Sequence, residues 1–344
     1  ASASSATSAG GGTANIGLTL GGSAGSGQSG GAVTLASNGQ VATTGAGAFG
    51  LIAQSIGGGG GVSGNSRLSA SSGGLSASLN LGATGNINGD GRAVGVTYAA
   101  GLSTTGVNAV ALLAQSIGGG GGVASFTDQS MGTNSGTANG RLGQLNGSDR
   151  AGDVTVSGSG AISTSSAQAI GILAQSVSNG GGLASLAASP ASTFSGTMTL
   201  GAAGTSAGTS GAVSVSTASG AITTKGNFAH GLVAQSVAGG GGISQVITSS
   251  ASLGGKAGGT ARTVAVSNNA AITTSGTGAI GIVAQGIGGG GGLAISTGSA
   301  NLGGTAGATS VTTTVPAAIK FNGFGFSYVP ATSTTTITGP NADG

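Results

Sequence analysis

A short stretch occurs five times along this chain, and it restricts the fold more than any other feature. It reads G-L-I-A-Q-S-I-G-G-G-G-G from Gly50 and A-L-L-A-Q-S-I-G-G-G-G-G from Ala111. The later copies are G-I-L-A-Q-S-V-S-N-G-G-G from Gly171, G-L-V-A-Q-S-V-A-G-G-G-G from Gly231 and G-I-V-A-Q-G-I-G-G-G-G-G from Gly281. The repeat glutamine falls at Gln54, Gln115, Gln175, Gln235 and Gln285, at steps of 61, 60, 60 and 50 residues. A fixed period of this size marks an array of stacked units, in which each unit contacts its neighbours and no closed core forms.

Each period has a constant frame. A threonine stands 11 residues before each glutamine, at Thr43, Thr104, Thr164, Thr224 and Thr274. Two residues before each threonine is an aliphatic side chain, and further upstream lies an alternating run of the V-T-L or V-S-V kind. Leu-Gly pairs precede these runs at Leu20, Leu81, Leu142, Leu200, Leu253 and Leu302. From this leucine to the next glutamine the distance stays within 32 to 35 residues, whereas from glutamine to the next leucine it falls from 27 to 17. The length variation after the glycine run is expected to lie outside the regular coil, on one face.

β-branched residues, alternation of two and Gly/Ser/Asn breaks predict strands throughout. Helix is disfavoured, because each glycine costs about 1 kcal/mol relative to alanine there. In Leu51 to Ile56 neither face carries charge, so both faces of that strand are candidates for packing. The expected fold is all-β, a parallel β-helix (β-solenoid) of five repeats over residues 1–310, with a non-repeat segment over 311–344. Reading each period as two or three short coils predicts about 11 to 17 coils and a rod about 55 to 80 Å long. The glycine runs read as ordered arches packed closely on their neighbours, with a flexible loop as the alternative.

Composition narrows the function. Thirteen of 344 residues are charged (8 basic, 5 acidic), and there is no cysteine. Disulfides and thiolate metal sites are thereby excluded. The basic residues are scattered without interleaved aromatics, so no nucleic-acid groove is expected. No apolar run approaches the roughly 18 residues of a membrane helix, so this segment is not expected to insert in a membrane. Ala1 to Gly12 resembles the variable segment after a glycine run, with no charged and apolar leader, and the chain reads as a mature segment or a piece of something longer.

Candidates for chemistry are sparse. His230 is the sole histidine, at a position that is apolar in the other repeats. It reads as a substitution tolerated at a partly exposed place rather than as a catalytic base or ligand. Asp149 and Asp153 flank Arg150, a spacing that suggests a surface ion pair rather than a carboxylate pair for hydrolysis. The glycine runs lack the Lys-Ser/Thr of a phosphate loop and the aspartate of calcium-binding repeats, so no nucleotide, metal or other cofactor is expected. The threonine pairs, among them Thr43-Thr44 and Thr273-Thr274, suggest a regular array on a flat face, suited to a ligand or to ice. Near the C-terminal end Phe321, Phe324, Phe326 and Tyr328 cluster, as a cap or as a docking surface for another subunit.

The motif I-T-T-x-G-x-x-A-x-G-I-x-A-Q-S-I-G-G-G-G-G, closest at Ile222 to Gly242 and Ile272 to Gly292, resembles the passenger repeats of large bacterial autotransporter adhesins. Ser178 and Asn179 interrupt the third glycine run, and Gly286 replaces the repeat serine. The resemblance implies a right-handed β-helix outside a Gram-negative cell, non-enzymatic, acting in adhesion, autoaggregation or matrix formation. The alternative is a subunit of a head-to-tail filament, and behind it a threonine-face binding module. Expected partners are other copies of the chain, and host or neighbouring-cell surfaces or their glycans.

Overall fold

The computed structural model of the chain describes residues 14–20, 28–69, 75–82, 89–130, 135–143, 148–187, 193–201, 208–246, 250–254, 259–295 and 300–302, together with 309–313, 318–321, 326–329 and 333–337. Among these, every helix or strand assigned is a strand. The chain is a parallel β-solenoid, and each period makes one coil.

Successive strands of a period go to different sheets, which we letter A to E in chain order. Sheet A stacks Ala14–Leu20, Leu75–Leu81, Ser135–Leu142, Thr197–Leu200, Ser250–Leu253 and Ala300–Leu302. Sheet B holds the alternating runs, from Val33–Ser37 to Val264–Asn268, and sheet C the short aliphatic-threonine strands, from Val41–Thr43 to Ile272–Ser275. Sheet D is the glutamine strand, from Leu51–Ile56 to Ile282–Ile287. Sheet E starts within the glycine run, from Gly60–Ser69 to Gly291–Ile295. Register is strict in sheet D, where Gln54 pairs with Gln115, then Gln175, Gln235 and Gln285. The expectation of two or three coils per period is therefore wrong. Five coils and the start of a sixth give a stack of about 25 Å rather than a long rod.

Sheet D explains the wide coil, because it is buried on both faces. Its strands Leu112–Ile117, Ile172–Val177 and Leu232–Val237 are buried at every residue. One face, with Leu112 and Ala114, packs on the inward valines of sheet B and the aliphatics of sheet C, such as Val94, Val96 and Leu102. The other face places Leu113 against Val123 of sheet E, and Ile117, Val177, Val237 and Ile287 form a further column. A coil of only two or three strands would leave one of these faces in water. At about 25 cal/mol per Å² of apolar area, repeated in every coil, that exposure is costly.

The variable segment also differs from expectation, because much of it lies inside the coil. Sheet E leads out and sheet A leads back, packed together as an arm. The sheet E strands shorten from 10 residues in the first two coils to 7, 6 and 5. Length variation thus tapers the arm; its tips, between sheets E and A, lie outside the described residues.

Among the described residues, parallel order ends with Ala300–Leu302, which pairs with Ser250–Leu253. Thr309–Thr313 pairs antiparallel with Ser333–Ile337 and meets the last strand of sheet D at Gly286, through Ser310. Ala318–Phe321 and Phe326–Val329 form an antiparallel pair that sets Phe321 opposite Phe326 and Ile319 opposite Tyr328. Phe324, Ala1 to Gly12 and the side chains of Phe321, Phe326 and Tyr328 lie outside what is described.

Candidate functional site: a buried amide ladder beside a glycine arch

Along the face of sheet D that carries Leu113 and turns toward sheet E, the five glutamines form a continuous ladder. Gln54 Nε2 donates to Gln115 Oε1 at 2.7 Å, Gln115 to Gln175 at 2.6 Å, Gln175 to Gln235 at 2.7 Å and Gln235 to Gln285 at 2.6 Å. Gln115, Gln175 and Gln235 have no exposed surface. A carboxamide carries a donor at one atom and an acceptor at the other, so identical residues in register satisfy each other. The same ladder polices register: a one-residue slip would place each amide against aliphatics and leave it unpaired at a cost of several kcal/mol.

The glycine run that follows is an ordered arch. Its first position is Gly57, Gly118, Ser178, Ala238 or Gly288, which explains why two of the departures from glycine fall there: no positive φ is recorded at Ser178 or Ala238. In the first three coils the second position lies in the left-handed region, at φ +78° in Gly58 and +82° in Gly119, and Asn179 adopts it at +60°. The last two positions are glycine in every coil. At Gly181 φ is +133°, and a Cβ there would sit 1.9 Å from the carbonyl oxygen of Gly241 in the next coil. A Cβ at Gly182 would sit 2.1 Å from the carbonyl of Gly122 in the preceding coil. The Leu-Gly glycines close on this arch from sheet A: a Cβ on Gly143 would lie 2.8 Å from the Cα of Gly180. Two backbones meet here with no room for side chains, and this is the reason for the Leu-Gly pair.

The threonines are part of the interior. Thr104, Thr164 and Thr224 are buried, and each donates through Oγ1 to a carbonyl five residues on (Ala109, Ala169 and Ala229), at 2.7 Å. Thr43 makes the same bond to Ala48 at 2.6 Å, and Thr274 continues the column in register. The expected flat threonine array is therefore not an outer surface. The outward positions of sheet C are Ala42, Ser103, Ser163, Thr223 and Thr273, a mixed column. An inward hydroxyl bonded to the corner carbonyl satisfies a polar group that the bend would otherwise bury unpaired.

His230 is fully buried, which corrects the expectation of partial exposure. It stacks in the column of Phe49, Val110, Ile170 and Ile280, where the next coil's Ile280 N–H donates to its Nδ1 at 3.1 Å. Its Nε2 is buried without a partner. Burial away from water lowers its pKa to about 4, so the ring is neutral at pH 7. A sealed, neutral imidazole with one nitrogen engaged is a packing group. Asp149 is likewise buried, not at the surface, and accepts from the N–H of Gly89 in the preceding coil. Asp153 and Asp90 accept backbone N–H bonds from Ala212 and Arg150 in the following coil. These acids join coils through the backbone.

Two further sets escaped the sequence reading. Ser55, Ser116, Ser176 and Ser236 on the other face of sheet D accept from backbone N–H groups of Arg92, Gly152, Gly211 and Arg262, anchoring the loop before sheet B of the next coil. At the bend from sheet C to sheet D, Asn108 and Gln168 adopt positive φ and reach the sheet E carbonyls of Phe126 and Leu186. In the fourth coil Phe228 takes the bend and the clasp reverses, with Gln245 of sheet E donating to the Phe228 carbonyl at 3.1 Å. Aligning the periods would have shown these amides in a column shared with Gly47 and Gly278.

Among the described residues no group of three or more His, Cys, Asp or Glu could hold a metal ion. What the arrangement does chemically is to join coil to coil. No protein-family model, no curated protein and no solved structure matches this chain.

Proposed function

We propose that this chain is a non-enzymatic structural and adhesive β-solenoid, a passenger-like segment at the surface of a Gram-negative bacterium, acting in adhesion, autoaggregation or matrix formation. The observation that carries this reading is the division of labour within each coil. Residues that join coils recur in register, whereas most of the length variation falls in the tapering arm of sheets E and A. A rigid stack that presents one variable edge suits repeated weak contacts, which add through avidity. The scarcity of titratable groups and the burial of His230 support a non-enzymatic role. The resemblance to adhesin passenger repeats supports the extracellular setting.

Beads coated with the purified chain test this. They are expected to clump with one another or to bind host cells or a glycan panel, and to lose that property when the arm tips are replaced by short Gly-Ser links. Beads that neither clump nor bind any of these surfaces would overturn the reading.

A further inference from the structure

We propose that the corner leading from sheet A into sheet B is a binding ridge for an acidic polysaccharide, a chain rich in hydroxyls with spaced carboxylates or sulfates. This rests on the adhesive reading and names the chemistry of one partner.

The basic residues are scattered in sequence, and the coils gather three of them. Arg150 N–H donates to Asp90 Oδ1 at 3.0 Å, which sets these two positions side by side in the third and second coils. Two positions on, Arg92 and Arg262 hold equivalent places in the second and fifth coils. The N–H of each is bonded to the sheet D serine of the preceding coil, Ser55 or Ser236. One position further, Asp153 accepts from the Ala212 N–H. Five of the thirteen charged residues thus stand within four positions of one corner. With coils about 4.8 Å apart, the ridge from Arg92 to Arg262 runs about 14 Å along the stack.

These side chains are available to a partner. Arg92, Arg150, Asp153 and Arg262 are exposed, and Asp90 is half-buried. Their backbones are fixed by the bonds just named, so a ligand need not order the loop. The two aspartates bond backbone N–H groups, and none of the three guanidinium groups makes a hydrogen bond or ion pair among the described residues. The mixture of signs selects the class of partner. A guanidinium presents paired donors that match a carboxylate or sulfate in two parallel hydrogen bonds. An aspartate beside it accepts from a hydroxyl. An acidic polysaccharide offers both groups on one strand. Duplex DNA carries a charge every ~1.7 Å, which Asp90 and Asp153 would oppose. The described residues of this corner also include no aromatic side chain on which a base of a single strand could stack.

Binding of the purified chain to immobilised hyaluronan and polygalacturonate tests this, with dextran as the neutral polymer and duplex DNA as a second polyanion. At least one acidic polysaccharide is expected to bind, less tightly as salt is added, and dextran is not. Arg92→Gln, Arg150→Gln and Arg262→Gln combined should lower affinity at least about tenfold, the weight of one charge-assisted hydrogen bond. Lys225→Gln, an exposed cation on sheet C, should leave it unchanged. Asp153→Asn should weaken binding; a gain would show that the acid only repels, and would overturn recognition by mixed signs. No binding to either acidic polymer, equal binding to dextran, tighter binding to DNA, or a triple variant that binds as before would overturn the ridge. Beads coated with the triple variant that still clump would separate that failure from a failure of the adhesive reading.

Discussion

Sheet D and the glycine arch follow one another in every coil and stack in the same register, yet they hold their coils together by opposite means. In sheet D the side chains do the joining. Leu112, Ile172, Leu232 and Ile282 form one column and the glutamines another. The apolar column accepts either leucine or isoleucine, because burial is insensitive to that exchange when volume is kept. In the arch the backbones join directly, and a single methyl at Gly181 would fall within 1.9 Å of a carbonyl oxygen. One region is specified by what its side chains are, the other by their absence. Tolerance to substitution should differ accordingly.

Gly181→Ala tests the arch and should have the largest effect. The methyl group meets Gly241 and φ is +133°, so the loss of stability should be about 4 kcal/mol or more in urea denaturation. A loss below about 1 kcal/mol would show that the arch can move aside, and would break the contrast. Gln175→Leu tests the ladder. It strands Gln115 Nε2 and Gln235 Oε1 in a dry interior, for an expected loss of about 2 to 4 kcal/mol, with Ile172→Leu as a near-neutral control in the same strand.

His230→Ile sharpens the comparison through pH. The folded pKa, at about 4, lies below the ordinary 6.5, so the unfolded chain binds more protons between these values. Stability from this site is complete above about pH 6.5 and declines as pH falls toward 4, by on the order of 3 kcal/mol. Denaturation midpoints of the isoleucine variant should be flatter over that window, and an unchanged slope would contradict the burial of the ring. Thr164→Val should have the smallest effect, about 1 kcal/mol, for the lost bond to the Ala169 carbonyl. A gain in stability would mean that the corner carbonyl finds another donor.

Much of the stack could be read from the chain itself. The spacing of Gln54, Gln115, Gln175, Gln235 and Gln285 announced the solenoid, and the uncharged faces of Leu51 to Ile56 indicated a strand packed on both sides. The coil count could not be read, because alternation marks strands without saying which of them share a sheet. Thr43 and its equivalents were misplaced for a related reason. A period of two separates the faces of a strand but does not name the inner one, and here the hydroxyl side turns inward to bond the corner carbonyl. His230 looked partly exposed because a histidine among apolar equivalents suggests a surface; a dry column with one backbone donor accepts it in neutral form.

The sequence by itself determined the periodicity, the strand class and where glycine recurs. Those properties are local, set by alternation and by backbone freedom at glycine. Only the tertiary structure decided that one period closes one coil, that the variable segment becomes a tapering arm, and that the glutamines meet in a ladder. These depend on which faces exclude water together and on amide groups 50 to 61 residues apart being brought within hydrogen-bond distance. Such pairings exist only once the coils are stacked.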